Sequence, residues 1–178
     1  NPSLIGISVM SSHYAHAVRL TRELREKVGA PVVWGGFHPT FEPEESLRDS
    51  GADAVCVGEG EDALLEMAER AAAGCRDFSD LANVCTLDSD RRFRRNPVRP
   101  LRESLDSIPF YPIQPEDLIR IPSNMLELSR SRVPRADADV YAQHGRMTSY
   151  GCPYRCSFCF NEEYHRLYPG QGRMPRRK

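Results

Sequence analysis

Pro31-Val-Val-Trp-Gly-Gly-Phe-His-Pro-Thr40 is the stretch on which the fold turns. Two β-branched residues and a tryptophan, fenced by proline on one side and a glycine pair on the other, read as a short buried strand running into a ligand-sized turn. Working outward, Leu4-Ile-Gly-Ile-Ser-Val-Met10 reads as a second buried strand. Between the two, Tyr14 to Val28 carries a helical stripe of Ala15, Val18, Leu20, Leu24 and Val28 that stops at Gly29. Downstream, a short helix begins around Pro43, with Glu44 and Glu45 suited to its positive N-terminus. Ala54-Val-Cys-Val57 gives a third strand leading into Gly58-Glu-Gly60, and Glu61 to Ala73 a helix with Leu64, Leu65 and Ala68 facing inward. Strands alternating with helices predict an α/β fold built on a mainly parallel, Rossmann-like sheet. Val84 to Leu87 and Phe93 then flank Asp88-Ser-Asp90 as a hairpin with a polar tip.

Beyond residue 95 the pattern changes. Pro97, Pro100, Pro109, Pro112, Pro115, Pro122 and Pro134 interrupt every possible long element, so residues 96–145 read as a connector. Regular structure is expected again from Arg146-Met-Thr-Ser149, a strand whose carboxyl end delivers Tyr150-Gly-Cys-Pro-Tyr-Arg-Cys-Ser-Phe-Cys-Phe160. Cys152, Cys156 and Cys159 are spaced to bring three thiolates to one point, with no fourth cysteine nearby. Thiolates select soft metals, and a [4Fe–4S] cube held by three protein sulfurs keeps one iron open to a small molecule. Structural zinc fills four positions and usually uses paired Cys-x2-Cys knuckles, so the triplet favours a reactive cluster. A zinc-binding interaction module completed by His165 is the alternative of a different class. Cys56, Cys75 and Cys85 lack ligand spacing and read as packing residues.

The formal net charge of −1 conceals two unlike halves. Residues 1–90 hold 7 Lys and Arg against 16 Asp and Glu, and residues 91–178 hold 17 against 9. The basic residues are scattered through the Pro-rich stretch without an aromatic ladder, which argues for two domain pieces and a linker rather than a nucleic-acid partner. No apolar run reaches the roughly 20 residues of a membrane helix, and no signal peptide opens the chain. Reduced thiols in a metal-binding spacing fit the cytoplasm. The chain opens at Asn1 without a methionine and closes at Lys178, 19 residues beyond Cys159. Since a full (β/α)8 barrel needs about 250 residues, the expectation is a fragment whose activity belongs to a longer parent.

The cysteine triplet, with Phe158 just before its last member, resembles the signature of the radical S-adenosylmethionine (SAM) superfamily. The order Gly-Gly-x-His-Pro-Thr, then Val-Gly-Glu-Gly-Glu, a Pro-rich connector and the triplet resembles the cobalamin-binding class within it. The resemblance implies a Rossmann-like cobalamin domain over residues 1–95, incomplete, the connector over 96–145, and the first β-α element of a radical SAM partial barrel over 146–178. It implies Cys152, Cys156 and Cys159 as ligands of a [4Fe–4S] cluster and Phe158 against the adenine of SAM. Ser8, Ser11 and Ser12 would line the cobalamin nucleotide tail, Gly35 and Gly36 would make room for it, and Gly58 and Glu59 would border the pocket. The implied activity is SAM cleavage to a 5′-deoxyadenosyl radical, for methyl transfer or cyclisation at an unactivated carbon of a small-molecule substrate, with an electron donor such as flavodoxin or ferredoxin. A radical SAM protein whose first domain has lost cobalamin is the nearer alternative. His38, in a loop before Pro39, reads as a hydrogen-bonded turn residue rather than a cobalt ligand, and His13 and His16 as helix-surface residues.

Overall fold

The computed structural model describes residues 2–108, 149–171 and 176–177. These residues divide into two compact units, Asn1–Leu101 with Cys152–Arg173, and Arg102–Gly151 with Met174–Lys178. In the first, β1 (Ile5–Ser8), β2 (Val32–Gly35), β3 (Ala54–Cys56), β4 (Val84–Leu87) and β5 (Phe93–Arg95) form one sheet in the order β1-β2-β3-β4-β5. The first three strands are parallel, and β4 and β5 are added antiparallel. The predicted hairpin is the β4–β5 pair, turned at Asp88, whose carboxylate accepts from the Asp90 and Arg92 amides at 3.0 and 2.8 Å.

Alternation along the strands divides the core into two layers. Val32, Trp34 and Val55 pack with Ala17 and Leu47 on one face of the sheet, covered by α1 (Tyr14–Lys27) and α3 (Pro43–Ser50). Val33, Ala54 and Cys56 pack with Ala63 and Met67 on the other, covered by α4 (Glu61–Ala72). The α3 helix has Pro43 in its first turn, Glu44 and Glu45 beside it, and a left-handed Gly51 at its end.

Three expectations about side-chain direction are corrected. In α1 the buried positions are Ala17 and Thr21, with Val18 and Leu24 packed beside them, whereas Ala15 is exposed and Leu20 is 43% exposed. A polar residue sits at the centre of the stripe because the indole Nε1–H of Trp34, 1% exposed, must donate somewhere and finds Thr21 Oγ1 at 2.8 Å. In α4 the inward residues are Ala63 and Met67, not Leu64 and Leu65, which are 46% and 58% exposed. Ala63, Met67 and Ala71 form an i, i+4, i+8 row whose small ends let the helix lie close to the sheet, and Ala68 is only half-buried. Cys75 does not pack: Gly74, at φ +82°, turns the chain outward after α4 and leaves the thiol exposed.

Phe37–Phe41, expected as loop, forms a short helix, α2, that starts directly after the positive-φ Gly36. Pro39 fits there because the first turn of a helix needs no amide from it. The start of the connector is tied to the sheet, since Asn83 N–H donates to Pro97 O at 2.9 Å and Asn96 N–H to Val84 O at 3.2 Å. Pro109, Pro112, Pro115, Pro122 and Pro134, and residues 146–148 of the expected second-domain strand, lie outside the described residues. In the second unit, β6 (Ser149–Tyr150) pairs antiparallel with β7 (Arg176–Arg177), and the Arg176 guanidinium lies 6.0 Å from the Tyr150 ring centre. Among the described residues, no helix is long and apolar enough to cross a membrane.

Burial sorts the thiols. Desolvation pushes Cys56 up to about 12 and Cys85 to about 11, so at pH 8 roughly one in ten thousand and one in a thousand of them are thiolate. Iodoacetamide at pH 8 is expected to modify the exposed Cys75 and Cys156 in the folded chain and to reach Cys56 and Cys85 only after denaturation. Peptide mapping that finds Cys56 alkylated as fast as Cys75 would contradict this packing.

Candidate functional site

The carboxyl ends of β1, β2 and β3 lie side by side, and ligands of open parallel sheets bind outside such ends. The β1 exit carries Ser8, Ser11 and Ser12, all exposed, the last two in a 3-10 turn at Ser11–His13. The β2 exit carries Gly35 and Gly36, and the β3 exit Gly58 and Glu59, all four half-buried. Gly36 is at φ +97°, and a Cβ there would stand 2.9 Å from Ser8 Oγ, Val9 N and Val9 O. Only a residue without a side chain lets β2 turn this close to β1. The approach is sealed by Val9 N–H donating to Gly35 O at 2.8 Å and His38 N–H to Val9 O at 3.1 Å.

Two polar residues to which the sequence assigned no holding role keep these exits in place. Thr40 donates its hydroxyl to Gly36 O at 2.8 Å and accepts from Gly58 N–H at 3.1 Å, which ties the β2 exit to the β3 exit. Asn83, 2% exposed and at φ +68°, donates to Val57 O at 2.9 Å and accepts from Arg99 N–H at 3.1 Å. Threonine and asparagine are common on surfaces, so only their burial reveals the role. His38 lies in α2, with Nδ1 3.1 Å from Ser11 Oγ and its ring 4.3 Å from that of Tyr14, while Nε2 is buried without a hydrogen-bond partner. His13 and His16 are exposed.

The cysteine loop occupies the same compact unit as the sheet. Cys159 N–H donates to Cys156 O at 3.0 Å, which closes the last turn before α5 (Asn161–Leu167). All three thiols are free: Cys152 and Cys159 half-buried, Cys156 exposed. The expected convergence of their sulfurs is not present, since among the described residues no three His, Cys, Asp or Glu side chains are gathered as a metal site. Sequence spacing fixes where the backbone places each cysteine, not its rotamer. Three free thiols within eight residues nevertheless match the donor chemistry of a soft-metal cluster. His165, the fourth ligand of the zinc alternative, is 8% exposed inside the unit and is not grouped with the cysteines. Phe158 projects into solvent, 92% exposed, at the edge of a cleft of about 530 Å³ that Arg155, Cys159, Glu162 and Arg166 also line.

The α5 helix lies over the strand exits. The Phe160 ring packs at a tilt against Phe37, centroids 4.3 Å apart, and lies 6.4 Å from Phe41. Tyr164 donates its hydroxyl to Glu59 Oε1 at 2.9 Å, and Tyr168, 2% exposed, accepts from the Glu59 amide at 2.8 Å. Burial raises the Tyr168 pKa, while the hydrogen bond from the Glu59 amide opposes the rise.

Residues 1–68 match the B12 binding domain family. An uncharacterized methyltransferase of Pyrococcus horikoshii is 30% identical over 164 residues, spanning 89% of this chain and 31% of that protein. The anaerobic magnesium-protoporphyrin IX monomethyl ester cyclase of Rubrivivax gelatinosus is 28% identical over 174 residues, spanning 94% of this chain and 28% of that one. The chain therefore spans about a third of the length of these relatives. The radical SAM methyltransferase TsrM of Kitasatospora setae, solved with cobalamin and a [4Fe–4S] cluster, aligns over 100% of this chain and 33% of its own with a TM-score of 0.60; at 22% identity the likeness is one of fold. The first 68 residues thus match the B12 binding domain family, and over most of its length the chain is similar to a methyltransferase and a cyclase.

Proposed function

We propose that the chain is part of a cobalamin-dependent radical SAM enzyme, in which residues 1–95 bind cobalamin, 96–145 connect, and 146–178 begin the radical SAM domain. Cys152, Cys156 and Cys159 would hold the [4Fe–4S] cluster, and Phe158 would meet the adenine of SAM. Ser8, Ser11 and Ser12, with Gly35 and Gly36, would receive the cobalamin nucleotide tail, and Gly58 and Glu59 would border it. Bound together, the cofactors supply reductive SAM cleavage and a carbon-centred radical chemistry that protein side chains cannot perform. The whole enzyme would act on a small molecule, with methyl transfer the leading outcome and ring closure the second, in the cytoplasm and with a flavodoxin- or ferredoxin-like electron donor.

The observation that carries this reading is the tight, side-chain-free junction at Gly36, beside the serines of the β1 exit, in one compact unit with the loop of three free thiols. Glycine lets a bulky ligand approach the backbone, and hydroxyls donate to its amide and phosphate groups. The residues themselves hold and orient: Thr40 fixes the two glycine-bearing turns, and the three cysteines offer thiolates from one loop. Anaerobic reconstitution of the full-length parent with iron, sulfide and hydroxocobalamin, followed by metal analysis and absorption spectroscopy, tests it. Iron and corrin should both remain after desalting. Iron without corrin would leave a radical SAM protein whose first domain is vestigial, and zinc at one per chain without iron would overturn the assignment.

A further inference from the structure

The contact between Tyr168 and the β3 exit has a shape that ordinary packing does not require. Gly58 is at φ +79°, and a Cβ built on it would lie 2.0 Å from Tyr168 Oη and 2.9 Å from Tyr168 Cζ. The phenol tip thus occupies the space that any other residue at 58 would fill with its own side chain. Its oxygen takes the Glu59 amide, and Tyr164, one helical turn earlier, takes the Glu59 carboxylate. Leu167 packs against the core layer that includes Val57. The α5 helix begins two residues after Cys159, so this two-hydroxyl grip sets where the C-terminal end of the cysteine loop lies against the β3 exit.

We propose that Tyr168 and Tyr164 are positioning residues that clamp the cysteine loop to the ligand-binding edge of the sheet through Gly58 and Glu59, so that cobalamin occupancy and the order of the loop are coupled. The coupling rests on the functional reading above; the clamp itself does not. A ligand that orders the β3 exit presents the Glu59 amide and carboxylate in one geometry, and the two tyrosines transmit that order to α5. By linkage, anything that loosens the clamp weakens the communication in both directions.

Amide hydrogen exchange of the full chain, with and without hydroxocobalamin, decides the matter. Without cofactor, Tyr168→Phe, which keeps the ring and removes the hydroxyl, should speed exchange at the Glu59 amide and across Asn161–Leu167 about tenfold, with Val33 and Val55 unchanged. Tyr164→Phe, on a half-buried residue, should give a smaller change of the same sign in α5. In the wild-type chain, saturating hydroxocobalamin should slow exchange across Asn161–Leu167 about tenfold, and Tyr168→Phe should cut that slowing to under about twofold while still retaining corrin. A loss of packing alone would shift both states equally and leave the ratio intact. Equal slowing in wild type and Tyr168→Phe, or an unchanged Glu59 amide in the cofactor-free variant, overturns the proposal. Should the wild-type chain retain no corrin, the functional reading fails and the cofactor-free comparison alone judges the clamp.

Discussion

Introduced into the full-length parent, Cys156→Ala is expected to abolish stable cluster assembly: after anaerobic reconstitution and desalting, iron should fall at least about tenfold relative to the wild-type parent, and the proposed reductive SAM cleavage should be lost with it. The reasoning is one of ligand count. Three thiols are all the sulfur the loop offers, and among the described residues no three His, Cys, Asp or Glu side chains are gathered as an alternative metal site. Cys156 is exposed, so removing its sulfur takes away no core packing, and the far-ultraviolet circular dichroism and thermal midpoint of the cofactor-free chain should stay as they were. That separation makes the variant informative. SAM cleavage that persists in Cys156→Ala would show that the ligands have been wrongly assigned.

The second large effect belongs to Gly36→Ala. A methyl group there meets three atoms at 2.9 Å, two of them Val9 backbone, while φ +97° is a conformation side chains rarely adopt. Strain of about 1–3 kcal/mol from the backbone and a similar cost from overpacking sum to roughly 2–6 kcal/mol, a large share of a small domain's stability. The loss should appear as a lower urea midpoint, and hydroxocobalamin retention should fall with it because the β1 and β2 exits can no longer lie together. Gly29→Ala is the control: nothing stands within 4 Å of a Cβ at Gly29. A Gly36→Ala chain as stable as Gly29→Ala would show that β1 and β2 do not approach as described.

The positions of β1 to β4 were legible because each is a short apolar run closed off by glycine, proline or polar residues, and these strands fall inside the predicted runs or within a residue of them, whereas the two-residue β7 (Arg176–Arg177) carries no apolar signal and was not expected. The three cysteines declared themselves by spacing. Which way the helices face was harder to read. Leu64 and Leu65 are more hydrophobic than Ala63, yet Ala63 and Met67 face the sheet, because a close helix–sheet approach rewards a small residue in the contact row over a large one beside it. Thr21 was passed over for the opposite reason: its place in the core depends on Trp34, a residue of another element whose indole requires an acceptor.

The amino-acid sequence by itself determined the α/β alternation, the glycine and serine character of the strand exits, and three thiols on one loop, since these follow from local spacing and composition. Tertiary structure alone decided that Thr40 ties the β2 exit to the β3 exit, that Asn83 ties the β3 exit to Arg99, and that Tyr168 fills the space left by Gly58. Glu59 and Tyr168 are 109 positions apart in the chain. No periodicity links residues at that distance; a hydroxyl meets a missing side chain only after the sheet has brought the β3 exit, and α5 above it, to the same place.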